Sequence, residues 1–128
     1  MHRLRSILGL VAGTLMIASS GAHSFFGWKS QRQALEAANA PADLIHVLGL
    51  GWQFGGAAML AFGCMVLALF LRDLRTARVP VMPAVVIGTT YVAFGIGAML
   101  VSQLDPFFLV FLVPGVLVLI AALPRRAA

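Results

Sequence analysis

The segment between Asp43 and Arg72 constrains the fold more than any other part of this sequence. No Asp, Glu, Lys or Arg lies between these two residues, and the intervening sequence reads LIHVLGLGWQFGGAAMLAFGCMVLALFL. A helix of this length, at about 1.5 Å per residue, is longer than the ~30 Å hydrocarbon core of a bilayer. The segment therefore predicts a helix that crosses a membrane, with a margin for tilt or for an interfacial first turn.

The composition of the whole chain supports the same interpretation. Of its 128 residues, 61% are hydrophobic and 10% are charged, whereas soluble domains are close to half apolar and a quarter charged. A soluble core cannot hide so much apolar surface in so short a chain. We therefore expect lipid to be the solvent for most of it.

Three further apolar segments complete the predicted fold, an all-α integral membrane antiparallel four-helix bundle. The chain is predicted to be one domain whose spans cover residues 6–26, 43–71, 83–103 and 106–123, with an external loop at residues 28–42. Within that loop, a short surface helix is predicted. No internal repeat or linker indicates a second domain.

The first span has an alternative interpretation. A basic start, an apolar run and small residues up to Ala22 also fit a cleavable secretory signal over residues 1–22. We favour an uncleaved span, because the apolar character continues through Phe25, Phe26 and Trp28. A mature protein that starts near His23 would retain three spans.

The positions of the basic residues predict the orientation of the bundle. The formal net charge is +5, and seven of the nine basic residues flank one predicted side of the membrane: Arg3, Arg5, Arg72, Arg75, Arg78, Arg125 and Arg126. Cytoplasmic loops carry such an excess of Arg and Lys. We therefore predict a multi-pass protein of the bacterial inner membrane with both termini in the cytoplasm. The expected partner of these charges is the lipid bilayer and not nucleic acid.

Small residues three or four positions apart predict helices that approach each other closely. The second span carries them on two faces, which predicts a central helix, whereas the fourth span is mostly large aliphatic and phenyl side chains. We therefore expect the fourth span at the periphery, loosely attached and facing lipid. The candidate packing positions are Gly9, Gly13, Gly51, Gly55, Gly56, Gly63, Gly88 and Gly95.

Four polar side chains are the candidate functional residues. Because the spans alternate in direction, His23 and His46 are both predicted near the outer interface, and Gln53 and Asp105 approach the same level. Two histidines from facing helices can clamp haem b, hold a divalent metal with a carboxylate, or relay protons to a quinone-type headgroup. A structural alternative stays open for each residue: an interfacial histidine, an interhelical hydrogen bond from Gln53, and an N-cap at Asp105.

Several enzyme classes lack their residues in this sequence. Cys64 is the single cysteine, so the paired thiols of a membrane thiol oxidoreductase are missing. No acidic residue is expected deep inside a span, where a proton-coupled drug exporter needs one. The sequence has no Gly-rich phosphate loop and no Ser/His/Asp arrangement, and its predicted inner loops are too short to build a catalytic site. These absences favour a non-enzymatic protein and leave an enzyme with a site near His23 and His46 as the alternative.

The segments GAHSFFG (21–27) and GWQFGGAAMLAFG (51–63) resemble those of small bacterial four-span inner-membrane proteins. In size and helix number the chain is similar to the DoxX-like group. Some DoxX-like members are linked to quinone-dependent oxidases or to redox-stress complexes, so the resemblance implies a redox or accessory setting. It assigns no residue a role.

Three functions follow as hypotheses from the sequence. The first is a non-enzymatic accessory or interaction protein, either a homo-oligomer or a subunit of a larger membrane complex. The second is a redox protein that binds haem, metal or quinone near His23 and His46. The third is a minimal transporter that works as a dimer.

Overall fold

The structure, a computed structural model, describes residues 2–76 and 81–123. These ranges contain no β-strand and form five α-helices: α1 (His2–Ala22), α2 (Trp28–Ala37), α3 (Ala42–Thr76), α4 (Val81–Val101) and α5 (Leu109–Ala122). A π-helical segment, His23–Gly27, joins α1 to α2, so the two form one continuous helix. The chain is thus built from four helical rods, which confirms the all-α, four-helix part of the prediction.

Three of the rods are long and apolar enough to cross a membrane. Arg3–Ala37 and Ala42–Thr76 each contain 35 residues, and Val81–Val101 contains 21. At about 1.5 Å per residue, the first two are about 52 Å long and α4 is about 31 Å long. The fourth rod, Pro106–Ala122, is apolar and shorter. The two long rods therefore form a hairpin that extends beyond α4 and α5.

The hairpin turn is much shorter than the predicted external loop. Residues 28–42 were predicted as a loop with a separate surface helix, but the helix from α1 continues without a break to Ala37. It then ends in a Schellman motif, in which the N–H of Ala40 donates to Leu35 O and that of Asn39 donates to Glu36 O, both at 3.0 Å. Asn39 adopts the left-handed conformation that this motif requires, with φ of 56°. Residues 28–37 are good helix formers, and continuation from α1 spares them the cost of nucleation.

The order of the neighbours differs from the prediction. Helix α1 packs against α3 on one side and α5 on the other, and α5 lies between α1 and α4. The prediction that the fourth span is peripheral is therefore wrong, and so is the prediction that the second span is central. Residues Phe111, Pro114, Gly115 and Val118 of α5 are all buried. The sequence of the fourth span shows no face of small residues, but Gly115 allows α5 to approach α4 closely.

Glycines bring two helix pairs to backbone contact. Between α1 and α3, a Cβ on Gly63 would lie 3.0 Å from the Ile17 backbone nitrogen and 3.1 Å from the Gly13 carbonyl oxygen. Between α4 and α5, a Cβ on Gly95 would lie 3.0 Å from the Leu112 backbone nitrogen. These glycines leave no room for a side chain, so each pair packs as closely as helices can.

The other candidate packing glycines fall into three groups. A side chain of a facing helical segment would clash with a Cβ added at Gly9, Gly13, Gly56 or Gly88. A Cβ on Gly55 would have one neighbour, His23 Nε2 at 3.5 Å, and a Cβ on Gly51 would have no heavy atom of the described chain within 4 Å. Gly51 therefore does not mark a helix contact within this chain.

Candidate functional site

His23 is the first residue of the π-helical segment and contacts α3 through its ring. The imidazole stacks on the indole of Trp52, with ring centroids 4.4 Å apart and planes 2° from parallel. Its Nε2 lies 3.2 Å from the Trp52 carbonyl oxygen. A carbonyl can only accept, so a hydrogen bond here requires the proton on Nε2 and leaves Nδ1 of the neutral ring as an acceptor.

The π-helical segment also presents its carbonyl groups to α3. The indole Nε1 of Trp52 donates to His23 O at 2.8 Å, and Gln53 Nε2 donates to Ser24 O at 3.1 Å. A π turn widens the helix and so allows side chains of another helix to reach its carbonyl oxygens. Gln53 thus forms the interhelical hydrogen bond that was one of its two predicted roles.

A cleft of about 210 Å³ lies where α3 and α4 separate. These two helices contact each other much less than the other neighbouring pairs do. The lining residues include one phenylalanine from each of α3, α4 and α5, and His23, Met59, Phe62, Tyr91, Phe94 and Phe111 are among them. The cleft is therefore an apolar space, lined in part by aromatic rings, where α3 and α4 pack weakly against each other.

Tyr91 is the polar residue that the walls of this cleft bury most deeply. Its side chain is 3% exposed, and its hydroxyl group has no hydrogen-bond partner among the described residues. The neighbouring Thr90 hydroxyl donates to Val86 O at 2.9 Å. A buried polar group without a partner costs about 1–3 kcal/mol. The buried Tyr91 hydroxyl is therefore an energetically unfavourable feature of the cleft wall.

His46 lies in a different cavity. That cavity, of about 390 Å³, is located between α2 and the start of α3, and Trp28, Arg32, Glu36 and His46 are among its lining residues. The pair Arg32 and Glu36 is joined by a 2.8 Å contact and is exposed. His23 and His46 thus line separate cavities. Within residues 2–76 and 81–123, no group of three or more His, Cys, Asp or Glu side chains is placed to hold a metal ion.

Asp105 has a structural role. Its Oδ1 accepts a hydrogen bond from the Phe107 backbone N–H at 2.9 Å, and Pro106 occupies the first position of the short 3₁₀ turn that leads into α5. This confirms the predicted N-cap. The side chain is exposed and outside the residues that define the cleft.

Sequence reasoning missed a buried polar pair at the other end of the hairpin. Ser6 Oγ donates to Asp73 Oδ2 at 2.6 Å, and Asp73 is 2% exposed. The predicted second span ended at residue 71, before Asp73, but α3 continues through Asp73 to Thr76. A signal was present in the sequence, because the buried residues of α3 recur at alternating spacings of three and four: Gly56, Met59, Gly63, Val66, Phe70 and Asp73.

Comparison of the chain with protein-family models, with curated proteins and with solved structures finds no match. The resemblance to the DoxX-like group therefore stays a prediction from two sequence segments.

Proposed function

We propose that this chain is an integral protein of the bacterial inner membrane that crosses the bilayer four times, with both termini in the cytoplasm. Three long apolar helices support insertion, and within the most apolar part of α3 only 28% of the residues are buried by the rest of the chain. Arg3, Arg5, Arg72 and Arg75 flank one end of the hairpin, and Lys29 and Arg32 lie near the other. This asymmetry supports the orientation.

Labelling of single cysteines tests this topology. In a Cys64→Ala background, Lys29→Cys and Arg75→Cys are treated with a membrane-impermeant maleimide in intact spheroplasts. We expect reaction at position 29, and at position 75 only after permeabilisation. Equal reaction of both positions in intact spheroplasts would contradict the proposed arrangement.

Within that membrane setting, we propose a non-enzymatic accessory or interaction subunit that binds an apolar molecule in the cleft between α3 and α4. The observation that carries this proposal is the apolar cleft of about 210 Å³ at the place where α3 and α4 pack weakly. An apolar occupant of the cleft gains dispersion contacts with the side chains that line it. The weak contact between α3 and α4 gives such a molecule a lateral path from the surrounding lipid.

Two adjacent alanines of α3 provide a matched test. Ala58 lines the cleft, whereas Ala57 is exposed and is not among the cleft residues. Native mass spectrometry of the purified protein should detect a bound molecule in the wild type and in Ala57→Phe, and should not detect it in Ala58→Phe. Retention of the same molecule by both variants would show that the cleft is not where it binds.

The second candidate is a redox protein with haem or metal near His23. The observation that favours it is the position of His23 in the wall of the cleft, with Nδ1 as a potential acceptor or ligand atom. An absorption spectrum tests it directly. A haem band that disappears in His23→Ala and in His46→Ala would support two histidine ligands. A band that survives in His46→Ala would restrict the site to His23, and a protein with no visible band and no bound metal would reject this candidate.

A further inference from the structure

We propose that the cavity between α2 and the start of α3, called the hairpin cavity below, binds the headgroup of a phospholipid whose phosphate is followed by a primary ammonium group. Phosphatidylethanolamine has this chemistry. Arg32 binds the phosphate and Glu36 binds the ammonium group. The site is separate from the cleft between α3 and α4. The inference rests on the membrane setting of the proposed function, because it assumes that the hairpin crosses the bilayer.

The hairpin carries this cavity beyond the end of α4. Only residues 77–80 separate α3 from α4, so the two helices run in opposite directions. Tyr91 of α4 lies beside Phe62 of α3, with ring centroids 6.3 Å apart. From this common level, α3 reaches about 30 Å to Ala42, whereas α4 reaches about 15 Å to Val101. Because α4 alone is about as long as the hydrocarbon core is thick, the part of the hairpin beyond it lies at the depth of the lipid headgroups.

The size and the walls of the hairpin cavity suit a headgroup that stays attached to its acyl chains. Its volume is about 390 Å³, within the ~300–1,000 Å³ that is usual for small-molecule sites. The ring of Trp28 forms the wall beside Gly49, where an added Cβ would lie 2.7 Å from the indole. Leu50 also lines the cavity and is 62% exposed. Leu50 therefore gives the acyl chains an apolar surface at the entrance.

Arg32 and Glu36 together can bind a ligand that carries both charges. Arg32 Nε donates to Glu36 Oε1 at 2.8 Å. This contact uses neither terminal amino group of the guanidinium and does not use Glu36 Oε2. The two side chains are 59% and 49% exposed, so a ligand in the cavity can reach them. A guanidinium group donates parallel hydrogen bonds to phosphate, and a carboxylate accepts hydrogen bonds from an ammonium group.

The order of these groups along the hairpin matches the order of the groups in the lipid. Helix α2 continues outward from α1, so Arg32 lies about one turn beyond Trp28, and Glu36 lies one turn beyond Arg32. On α3, His46 lies about one turn further out than Leu50. From the bilayer outward, the cavity thus has an apolar wall, a cation with an imidazole, and a carboxylate. Phosphatidylethanolamine has acyl chains, a phosphate and an ammonium group in the same order, and an N–H of His46 is a second donor for the phosphate.

The lipid preference of the wild-type protein tests this inference without any substitution. Native mass spectrometry of the full chain in detergent measures the Kd of phospholipids with identical acyl chains. Phosphatidylethanolamine should bind about twofold to fivefold more tightly than phosphatidylcholine or phosphatidylglycerol, the range expected for one exposed ion pair. Phosphatidylcholine has no N–H to donate to Glu36, and phosphatidylglycerol has no cation. Stepwise N-methylation of phosphatidylethanolamine should weaken binding, and equal binding across this series would overturn the inference.

Two variants assign the two charges, and each has a matched control on the same helical hairpin. Arg32→Gln should weaken the binding of all three phospholipids about twofold to fivefold. Lys29→Gln removes an exposed cation that does not line the cavity and should leave every Kd unchanged. Glu36→Gln should abolish the preference for phosphatidylethanolamine over phosphatidylglycerol, whereas Asp43→Asn should retain it. A preference that survives in Glu36→Gln would overturn the inference.

A soluble headgroup distinguishes a lipid from a free phosphate compound. Glycerophosphoethanolamine has the same charges without acyl chains, and it should bind more than about tenfold more weakly, because burial of the chains contributes to affinity. Binding of this compound with the affinity of the lipid would overturn the assignment to a lipid.

The outcomes separate this inference from the proposed function. Ala58→Phe fills the cleft between α3 and α4 and should leave the preference for phosphatidylethanolamine unchanged. If this variant loses the preference, the lipid binds in the cleft, so the inference fails and the proposed function stands. Equal labelling of positions 29 and 75 would overturn the proposed topology, whereas the preference measured in detergent tests the lipid site independently of orientation.

Discussion

Helix α3 forms two interfaces (seams), one with α1 and one with α4, and the two differ in how closely the helices pack. Against α1, glycines bring the backbones into contact, and hydrogen bonds join the helices at both ends, from Ser6 to Asp73 and between Trp52 and His23. Against α4, aromatic rings meet around a cleft, and the buried Tyr91 hydroxyl group has no hydrogen-bond partner among the described residues. The first seam has the features of a structural contact. The second leaves a cleft between the helices, and the proposed binding function rests on that cleft.

The largest expected effect comes from a side chain placed in the α1–α3 seam. Gly63→Leu puts a side chain against the backbone of Ile17 and Gly13, where no rotamer can avoid it, so the helices must separate. We expect a loss of more than about 3 kcal/mol in the free energy of unfolding, the upper range for overpacking. Denaturation in SDS measures it. Gly51→Leu, on the same helix and in open space, is the control, and equal effects would show that the seam is wrongly located.

The next largest effect is expected at the buried pair of Ser6 and Asp73, which lies at the end of the α1–α3 seam where α1 begins. Asp73→Ala removes a carboxylate that accepts a hydrogen bond from Ser6 in a buried site. Hydrogen bonds to charged groups contribute about 1.5–3 kcal/mol, so the free energy of unfolding should fall by about 2 kcal/mol. Asp43→Ala removes an exposed carboxylate from the first turn of α3. It should cost less than about 1 kcal/mol, and a similar loss in both variants would contradict a special role for Asp73.

A smaller effect is expected at the other end of the same seam. Trp52→Phe keeps an aromatic ring beside His23 but removes the indole N–H that donates to His23 O. The free energy of unfolding should fall by about 1 kcal/mol, the typical contribution of one hydrogen bond. Phe54→Leu changes a neighbouring side chain that is 77% exposed and should have almost no effect in detergent.

The smallest expected effect has the opposite sign and lies in the α3–α4 seam. Tyr91→Phe removes a buried hydroxyl group that has no partner in the described chain. In protein stripped of bound molecules, this variant should be more stable than the wild type by about 1 kcal/mol, the lower end of the cost of an unpartnered buried polar group, because that cost disappears with the hydroxyl. Thermal unfolding of ligand-free protein measures the difference. A loss of stability of more than about 1 kcal/mol would show that the hydroxyl has an essential partner, and the two seams would then be alike.

The helical elements themselves could be predicted from the sequence, because they depend on local signals. The uncharged segment after Asp43 predicted the long helix α3, and Asp105 followed by Pro106 predicted the cap before α5. Periodicity and capping act within one helical turn, so neither needs knowledge of a neighbour.

The arrangement of the helices could not be predicted in the same way. Small-residue spacing shows that one face of a helix approaches something, and it does not show which helix lies there. This is why α5 was expected at the edge, although Gly115 places it against α4 in the interior. The hydroxyl of Tyr91 was missed for the same reason, because its lack of a partner depends on the separation of α3 from α4, which is a tertiary property.

The π-helical segment His23–Gly27 determines how α2 is rotated about the helix axis relative to α1. A π turn is equivalent to one residue inserted into an α-helix. Deletion of one residue here would restore regular α geometry and rotate everything beyond it by about 100° around the helix axis. Trp28, whose ring now covers Gly49, would swing away from α3. This single extra residue thus sets the rotational alignment of α2, including its Arg32 and Glu36 side chains.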